Sequence, residues 1–497
     1  MKSILNLIFK EPLFLLAILL FLTAKGHLEI IDTEYSVRTA IVIIEDGSML
    51  IDVVDPTVLE IAPKIHGTDK IYSQYGLGLV VIFLPIVMIG MLISLVFSVD
   101  QRIIIDFLLS FYNVPFAIFC LYFFRSILVR LGTSKSKANF CMLLLFCCTG
   151  FWKYSVTDFS EITQVAFLLG AINSSLLEKR SKWKHVSFWC ALLVMMKLVY
   201  VILLPAFFLY AIWSETKKRN LQNFKNRCFD FCFFLLPIGL FLGYMNYIRF
   251  GSVFETGYGS QAASFSIDFF RRDWLDYLFS MQRGIFPFNP ILLLSWVGWF
   301  YLPKENRKFV LLIAVIAMLW FVLMCFWKSF QGGYCWGNRL LVPIIPFCFI
   351  PFAFLPFDKR FVRVSVSMVI LLSLVIQVSA VFTKIHETSV LRSKIYEDTR
   401  LHTPPQLIST FHVFTNKLTN ASTQIPASAL GADTDSIIDL SNFESFYGFN
   451  LWPIHALKFL GLQSLCYPLS LILLGTVISL VVLLFYSNFK HYRNQQL

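Results

Sequence analysis

Charge is what this sequence has least of. Only 14% of its 497 residues are Asp, Glu, Lys or Arg, against about 25% in soluble globular chains. An ordinary water-soluble enzyme is excluded, and so is disorder, because 57% of the residues are hydrophobic and 53 are Phe. No CxxC pair and no His/Cys metal spacing occurs, so neither a disulfide framework nor a structural zinc site is expected. Ten of the eleven cysteines lie in or beside apolar runs, and Cys335 alone sits in a polar loop. There is no P-loop and no G-x-G-x-x-G, hence no nucleotide cradle. Internal repeats and low-complexity tracts are also lacking.

What is present is a series of continuous apolar runs, near 11–24, 76–98, 103–129, 138–152, 159–177, 186–213, 228–249, 288–302, 308–328, 339–357, 362–382 and 466–487. About 20 apolar residues span a bilayer as a helix, and continuous rather than alternating runs exclude a β-barrel. The predicted fold class is therefore an all-α polytopic membrane protein of 11–13 spans. The run 186–213 reads as one tilted helix or two short ones hinged near Lys197. Residues 11–24 follow Lys2 and Lys10 without a small-residue cleavage site, so they read as an uncleaved first span.

The formal charge is +12, from 42 Lys and Arg against 30 Asp and Glu. The basic residues cluster between apolar runs, at 125–137, 179–184, 217–227, 304–308, 359–363 and 490–493. That placement orients the chain in a membrane and does not form a nucleic-acid groove. With these clusters in the cytoplasm, loops 25–75, 250–287 and 383–465 fall outside, and they hold 20 of the 30 acids. Two runs between loop 25–75 and Arg130 break the parity, so one is re-entrant or a crossing is hidden. Stretches such as 36–44 are amphipathic and suit the interface plane. Loop 383–465, interrupted by Pro404 and Pro405, is expected to form a small external cap. The expected organisation is thus a transmembrane module over 1–382, the cap, and a final helix with its tail over 466–497.

Several residues can carry chemistry. Asp32 and Glu34 open the first external loop, two apart, as a general base with a second acid, or as cation ligands. Lys197 interrupts an apolar run, at a cost of about 2.5–3.5 kcal/mol on insertion scales, and must snorkel, pair or serve a site. Asp158 and Glu161 lie three apart, with capping of the next helix by Asp158 or Ser160 as the plainer role. Arg249, Arg283 and Arg339 fall on the outer side against the positive-inside trend. Three such arginines suit an anion, and a guanidinium fork suits phosphate oxygens. Lipid headgroups would satisfy them too.

At these residues the chain resembles membrane glycosyltransferases of the GT-C superfamily, in the bacterial branch related to protein mannosyltransferases and the aminoarabinose transferase of lipid A. The matching segments are Asp32-Thr33-Glu34, Tyr75-Gly76-Leu77-Gly78, Ser160-Glu161, Lys197, the stretch Tyr247 to Tyr258, Arg283-Gly284, and Trp336 to Pro343. They fall in the expected order over residues 25–345. Residues 383–465 match nothing.

The resemblance implies an inverting transfer from a polyprenyl-phosphate sugar to an extracytoplasmic glycan, lipid or protein acceptor, in a bacterial inner membrane. Asp32 would be the base and Glu34 a supporting acid. Arg339, Arg283, Lys197 and Arg249, with Tyr258, Tyr75 and Glu161, would bind the donor. A divalent cation would lie at Asp32 and Glu34 if one is used. Two other readings remain open at this point. One is a transporter or flippase of lipid-linked sugars. The other is an O-antigen-type polymerase or ligase, for which His386, His402, His412 and His455 lie in the late loop.

Overall fold

The computed structural model describes residues 12–52, 70–179, 181–213, 221–258, 265–328, 332–333, 335–357, 359–385, 387–388, 405–419, 424–426, 437–439 and 448–494. Much of the expected cap, including His386 and His402, lies outside these residues.

The first half of the chain builds α1 (Pro12–Thr23), α2 (Ile31–Asp46), α3 (Leu77–Phe97), α4 (Gln101–Leu109), α5 (Asn113–Arg130), α6 (Lys135–Cys147), α7 (Phe151–Ser155), α8 (Glu161–Ser175) and α9 (Lys182–Met196). The second half adds α10 (Leu204–Trp213), α11 (Leu221–Phe250), α12 (Ile267–Phe279), α13 (Ile285–Phe288), α14 (Ile291–Gly298), α15 (Arg307–Phe326), α16 (Ile345–Phe349), α17 (Arg360–Phe382), α18 (Gln406–Thr419), α19 (Trp452–Phe459) and α20 (Cys466–Asn494). Among the described residues, sheet is confined to two short antiparallel pairs. In one, β1 (Leu50–Asp52) meets β2 (Lys70–Tyr72) with Ile51 opposite Ile71.

Among the described residues six helical segments are long and apolar enough to cross a membrane: Leu77–Phe97, Gln101–Arg130, Phe224–Phe250, Lys304–Phe326, Arg360–Phe382 and Gln463–Tyr486. Shorter apolar helices lie at Pro12–Thr23, Leu198–Trp213, Ile291–Tyr301 and Arg339–Phe354. Their outward faces are as greasy as their buried ones. Only 11% of the apolar stretch in Phe224–Phe250 is buried, and Leu236, Leu240, Leu92, Leu95 and Phe97 lie exposed. Water does not tolerate so much apolar surface, and lipid does. The chain is an all-α polytopic membrane protein.

At the centre stands α8, buried along its whole length. The apolar run 186–213 breaks at Lys197, whose backbone is extended (φ −148°, ψ 120°) between the end of α9 and a 3₁₀ turn, Leu198–Leu203.

The first of the two apolar runs behind the parity conflict packs beside α2. Tyr75, just before α3, donates to Asp32 at the start of α2. Gln101, just after α3, donates to Glu45 near the end of α2 (3.1 Å), and Arg102 bonds Glu34. Both ends of α3 are therefore tied to α2. That helix carries Asp32, Glu34, Arg38, Glu45 and Asp46, a charge density that hydrocarbon does not accept. So α3 lies along α2, and α4 packs back against α3.

The end of α17 is fastened by two buried lysines. Lys25 Nζ donates to Val381 O (2.5 Å) and Asn450 O (3.1 Å), and Lys153 Nζ to Thr383 O (2.9 Å). Cations suit the unpaired carbonyls of a helix C-terminus. Beyond α17, Glu387 and Lys417 of α18 form an ion pair at 2.8 Å, with both side chains out of solvent.

Candidate active site

The site begins with the seating of α2. Two carboxylates in its first turn favour helix formation there, since they meet the positive end of the helix dipole. The helix has no side-chain cap of its own. Instead Asp158 reaches across: Oδ1 accepts from the Glu29 N–H (3.1 Å) and Oδ2 from the Ile30 N–H (3.0 Å). The Asp158 carbonyl accepts from Thr33 Oγ1 (2.6 Å) and the Tyr112 hydroxyl (3.2 Å). Asn113 Nδ2 in turn holds the carbonyls of Thr157 and Phe159, each at 2.7 Å. Asp158 therefore caps the backbone leading into α2, whereas the sequence suggested capping of α8. Contact with a backbone 128 positions away has no local signature.

Seated in this way, Asp32 receives two partners. Its Oδ1 accepts from the Tyr75 hydroxyl at 2.8 Å, and its Oδ2 lies 3.0 Å from Arg339 Nη2. Burial, then the charge of Asp32 and the hydrogen bond to it, push the Tyr75 phenol well above its ordinary value, so it remains a donor. Burial and the same carboxylate push Tyr258 up to about 12, with Arg339 acting in the opposite sense. Tyr75 is placed by a close approach: a Cβ on Gly76 would come within 2.0 Å of the Met196 carbonyl oxygen. Only glycine lets α3 start against the end of α9, and that contact brings Lys197 near Tyr75.

Glu34 goes elsewhere. Two residues along an α-helix turn the side chain by about 200°, so Asp32 and Glu34 leave α2 on opposite sides. Glu34 Oε1 accepts from Arg38 Nε (2.7 Å) and Oε2 from Arg102 Nη2, while Arg102 Nε bonds Asp106 (2.7 Å). Burial pushes the Glu34 carboxyl up. The hydrogen bonds from Arg102 and Arg38 more than offset this and hold it below its usual range. The two carboxylates do not converge as joint ligands of one cation. Among the described residues no three His, Cys, Asp or Glu side chains come together as a metal-holding group. Arg102 was not singled out from the sequence, although a basic residue at the head of an apolar run was a signal for it.

A second ion pair lies near the first. Lys197 Nζ is 3.1 Å from Glu161 Oε1, with the Glu161 side chain buried. Glu161 Oε2 and Arg339 Nε are both buried without a hydrogen-bond partner. The Arg339 guanidinium stacks 5.1 Å from the centre of the Phe159 ring. Asp32, Tyr75, Arg339, Glu161 and Lys197 thus form one constellation, with Tyr258 beside it.

The other two arginines stand apart from it. Arg249 donates to Ser73 O (3.2 Å), Tyr75 O (3.4 Å) and Asn246 Oδ1 (3.0 Å). Arg283 Nη1 donates to Cys335 O (2.9 Å), Cys335 Sγ (2.9 Å) and Gly337 O (3.2 Å). Both are buried and hold backbone, Arg249 behind Tyr75 and Arg283 behind the loop that carries Arg339. The sequence placed them with an anion. The structure places them on carbonyls, which a cation satisfies equally well.

No family model matches the chain, and no curated protein matches it by sequence. Among solved structures it is similar to ArnT from Cupriavidus metallidurans bound to undecaprenyl phosphate, at 10% identity over 95% of this chain and 76% of that one, with a TM-score of 0.48. The apo state of the same protein gives 12% identity, coverages of 95% and 75%, and a TM-score of 0.43. The Archaeoglobus fulgidus oligosaccharyltransferase in its apo form gives 12% identity, coverages of 77% and 51%, and a TM-score of 0.40.

Proposed function

We propose that this chain is a membrane glycosyltransferase of the GT-C kind. It moves a monosaccharide, with inversion, from a polyprenyl-phosphate donor to an acceptor at the extracytoplasmic face of a bacterial inner membrane. The observation that carries this reading is the Asp32–Arg339 pair, a carboxylate and a guanidinium 3.0 Å apart from segments 307 positions apart in sequence.

The chemistry needs both groups. The acceptor hydroxyl loses its proton to Asp32 as its oxygen bonds the anomeric carbon. The bond from that carbon to the phosphate oxygen breaks, and the leaving polyprenyl phosphate gains charge that Arg339 and Lys197 stabilise. Tyr75 and the seat provided by Asp158 fix the Asp32 carboxylate. Donor phosphate entering on Arg339 loosens its hold on Asp32 and frees Oδ2 for the proton. Glu161 and Tyr258 line the same space. Glu34 is a structural acid in this reading, and Arg249 and Arg283 position the loops of Tyr75 and Arg339. In this reading residues 1–382 are the catalytic module, 383–465 an external cap, and 466–497 the final helix with its tail.

The test uses purified protein in detergent with a panel of isotope-labelled polyprenyl-phosphate sugars. Label appearing on a glycan, lipid or protein acceptor supports the enzyme, because no compartment exists for a transporter to act across. Turnover that requires a cap histidine and tolerates loss of Asp32 would instead identify a polymerase or ligase.

A further inference from the structure

The loop that presents Arg339 cannot hold its own shape. Gly332, Gly333 and Gly337 all have positive φ (62°, 80° and 55°), and such a stretch has a large backbone entropy to lose. Its order comes from side chains reaching in. The Tyr154 hydroxyl donates to Trp336 O (2.6 Å), and Arg283 donates to the Cys335 and Gly337 carbonyls. Further support comes from α18. Gln406, the first residue of α18, donates from Nε2 to Cys335 O (2.8 Å) and accepts at Oε1 from the Gly337 N–H (3.0 Å). One buried primary amide thus closes on both sides of the loop, two residues before Arg339.

The helix bearing Gln406 is itself fixed. Besides the Lys417–Glu387 pair, the Tyr467 hydroxyl donates to Leu418 O (3.0 Å), and Phe414 stacks on Phe449 at 5.6 Å. A rigid tie therefore runs from the ends of α17 and α20 through α18 to the Arg339 loop.

We infer that Gln406 is a positioning residue for Arg339, so that the start of α18 is an integral part of the donor-phosphate site. This rests on the proposed function for the role of Arg339, though not for the clamp itself. Without the amide, Gly337 and Cys335 lose two hydrogen bonds, and the guanidinium departs from the geometry that meets Asp32 and a phosphate.

The test compares wild type, Gln406→Met, Arg339→Ala and the double variant in detergent, with hydrogen exchange and steady-state transfer as readouts. Methionine keeps the length of the side chain and removes both bonds. Gln406→Met is expected to speed amide exchange across residues 335–341, to raise the donor KM roughly tenfold and to lower kcat with it, because Arg339 also stabilises the leaving phosphate, with the acceptor KM within about twofold of wild type. In the Arg339→Ala background it adds no further change in donor KM, because its effect passes through that arginine. Unaltered exchange in the loop overturns the clamp whatever the enzyme does. An equal rise in donor KM with and without Arg339 shows that Gln406 acts by another route and also overturns the inference. If Arg339→Ala leaves the donor KM untouched while the exchange changes as expected, the clamp stands and the phosphate role of Arg339 fails.

Discussion

Asp32 and Glu34 are neighbours in sequence but not in the site: Asp32 meets Arg339 across the bundle, and Glu34 is enclosed by Arg38 and Arg102. Their substitutions should therefore differ in kind. Glu34→Gln is expected to cost about 1–2 kcal/mol of stability, because a charge-assisted pair weakens at a partly buried site, and to retain most of the transfer activity. Thermal melting alongside labelled-sugar transfer checks this. Complete loss of transfer with unchanged melting would return Glu34 to the chemistry.

The same carboxylate predicts a pH dependence. Its folded-state pKa lies below the ordinary value near 4.3. A depressed acid contributes stability above its unfolded pKa and loses it as pH falls through the lower folded value. Melting of the wild type should therefore decline on the acid side below about pH 4, and Glu34→Gln should flatten that decline. Parallel pH profiles for the two proteins would show that Glu34 contributes nothing there.

Gly76→Ala tests the junction of α3 and α9. The backbone of Gly76 is in a region open to alanine (φ −63°, ψ 144°), so the cost is steric. The added Cβ would lie 2.0 Å from Met196 O and 2.8 Å from Met196 C, both rigid backbone atoms. Overpacking of this sort costs about 1–3 kcal/mol. Because the shift separates Tyr75 from Asp32, transfer should fall by more than the loss of folded protein explains. Activity per folded molecule, from transfer normalised to the folded fraction, decides it.

Lys417 and Glu387 pair with side chains only 1% and 2% exposed. Breaking such a pair from one side typically costs about 3–5 kcal/mol, while replacing both partners with apolar residues is often neutral. Lys417→Met should destabilise strongly, and Lys417→Met with Glu387→Leu should recover most of the loss. A double variant no better than the single one would mean that the charges do not act as a unit.

Much of this was readable in advance, for physical reasons. Hydropathy marks the spans because lipid demands continuous apolar runs. A lysine inside the run 186–213 marked its break, since a cation there needs a partner, and Glu161 is that partner. The stretch 36–44 read as an interfacial helix and lies within α2. Spacing alone presents Asp32 and Glu34 as one acidic pair in a loop, whereas helical pitch gives them different partners. Arg249 and Arg283 looked equivalent to Arg339 in sequence. Sequence position does not distinguish a guanidinium that meets a carboxylate from one that meets carbonyls. Asp158 and Gln406 act on backbone brought near by tertiary folding, and nothing adjacent to them in the chain announces it.

The central claim is that Asp32 takes the acceptor proton, and one comparison tests it most directly: labelled-sugar transfer by wild type and Asp32→Asn in detergent, at matched folded concentration. Asparagine keeps the size and the hydrogen bond from Tyr75 but cannot act as the base. Loss of a general base removes about 10²- to 10⁴-fold in rate, and that fall, with melting retained, is the predicted result. Transfer by Asp32→Asn at the wild-type rate would contradict the account.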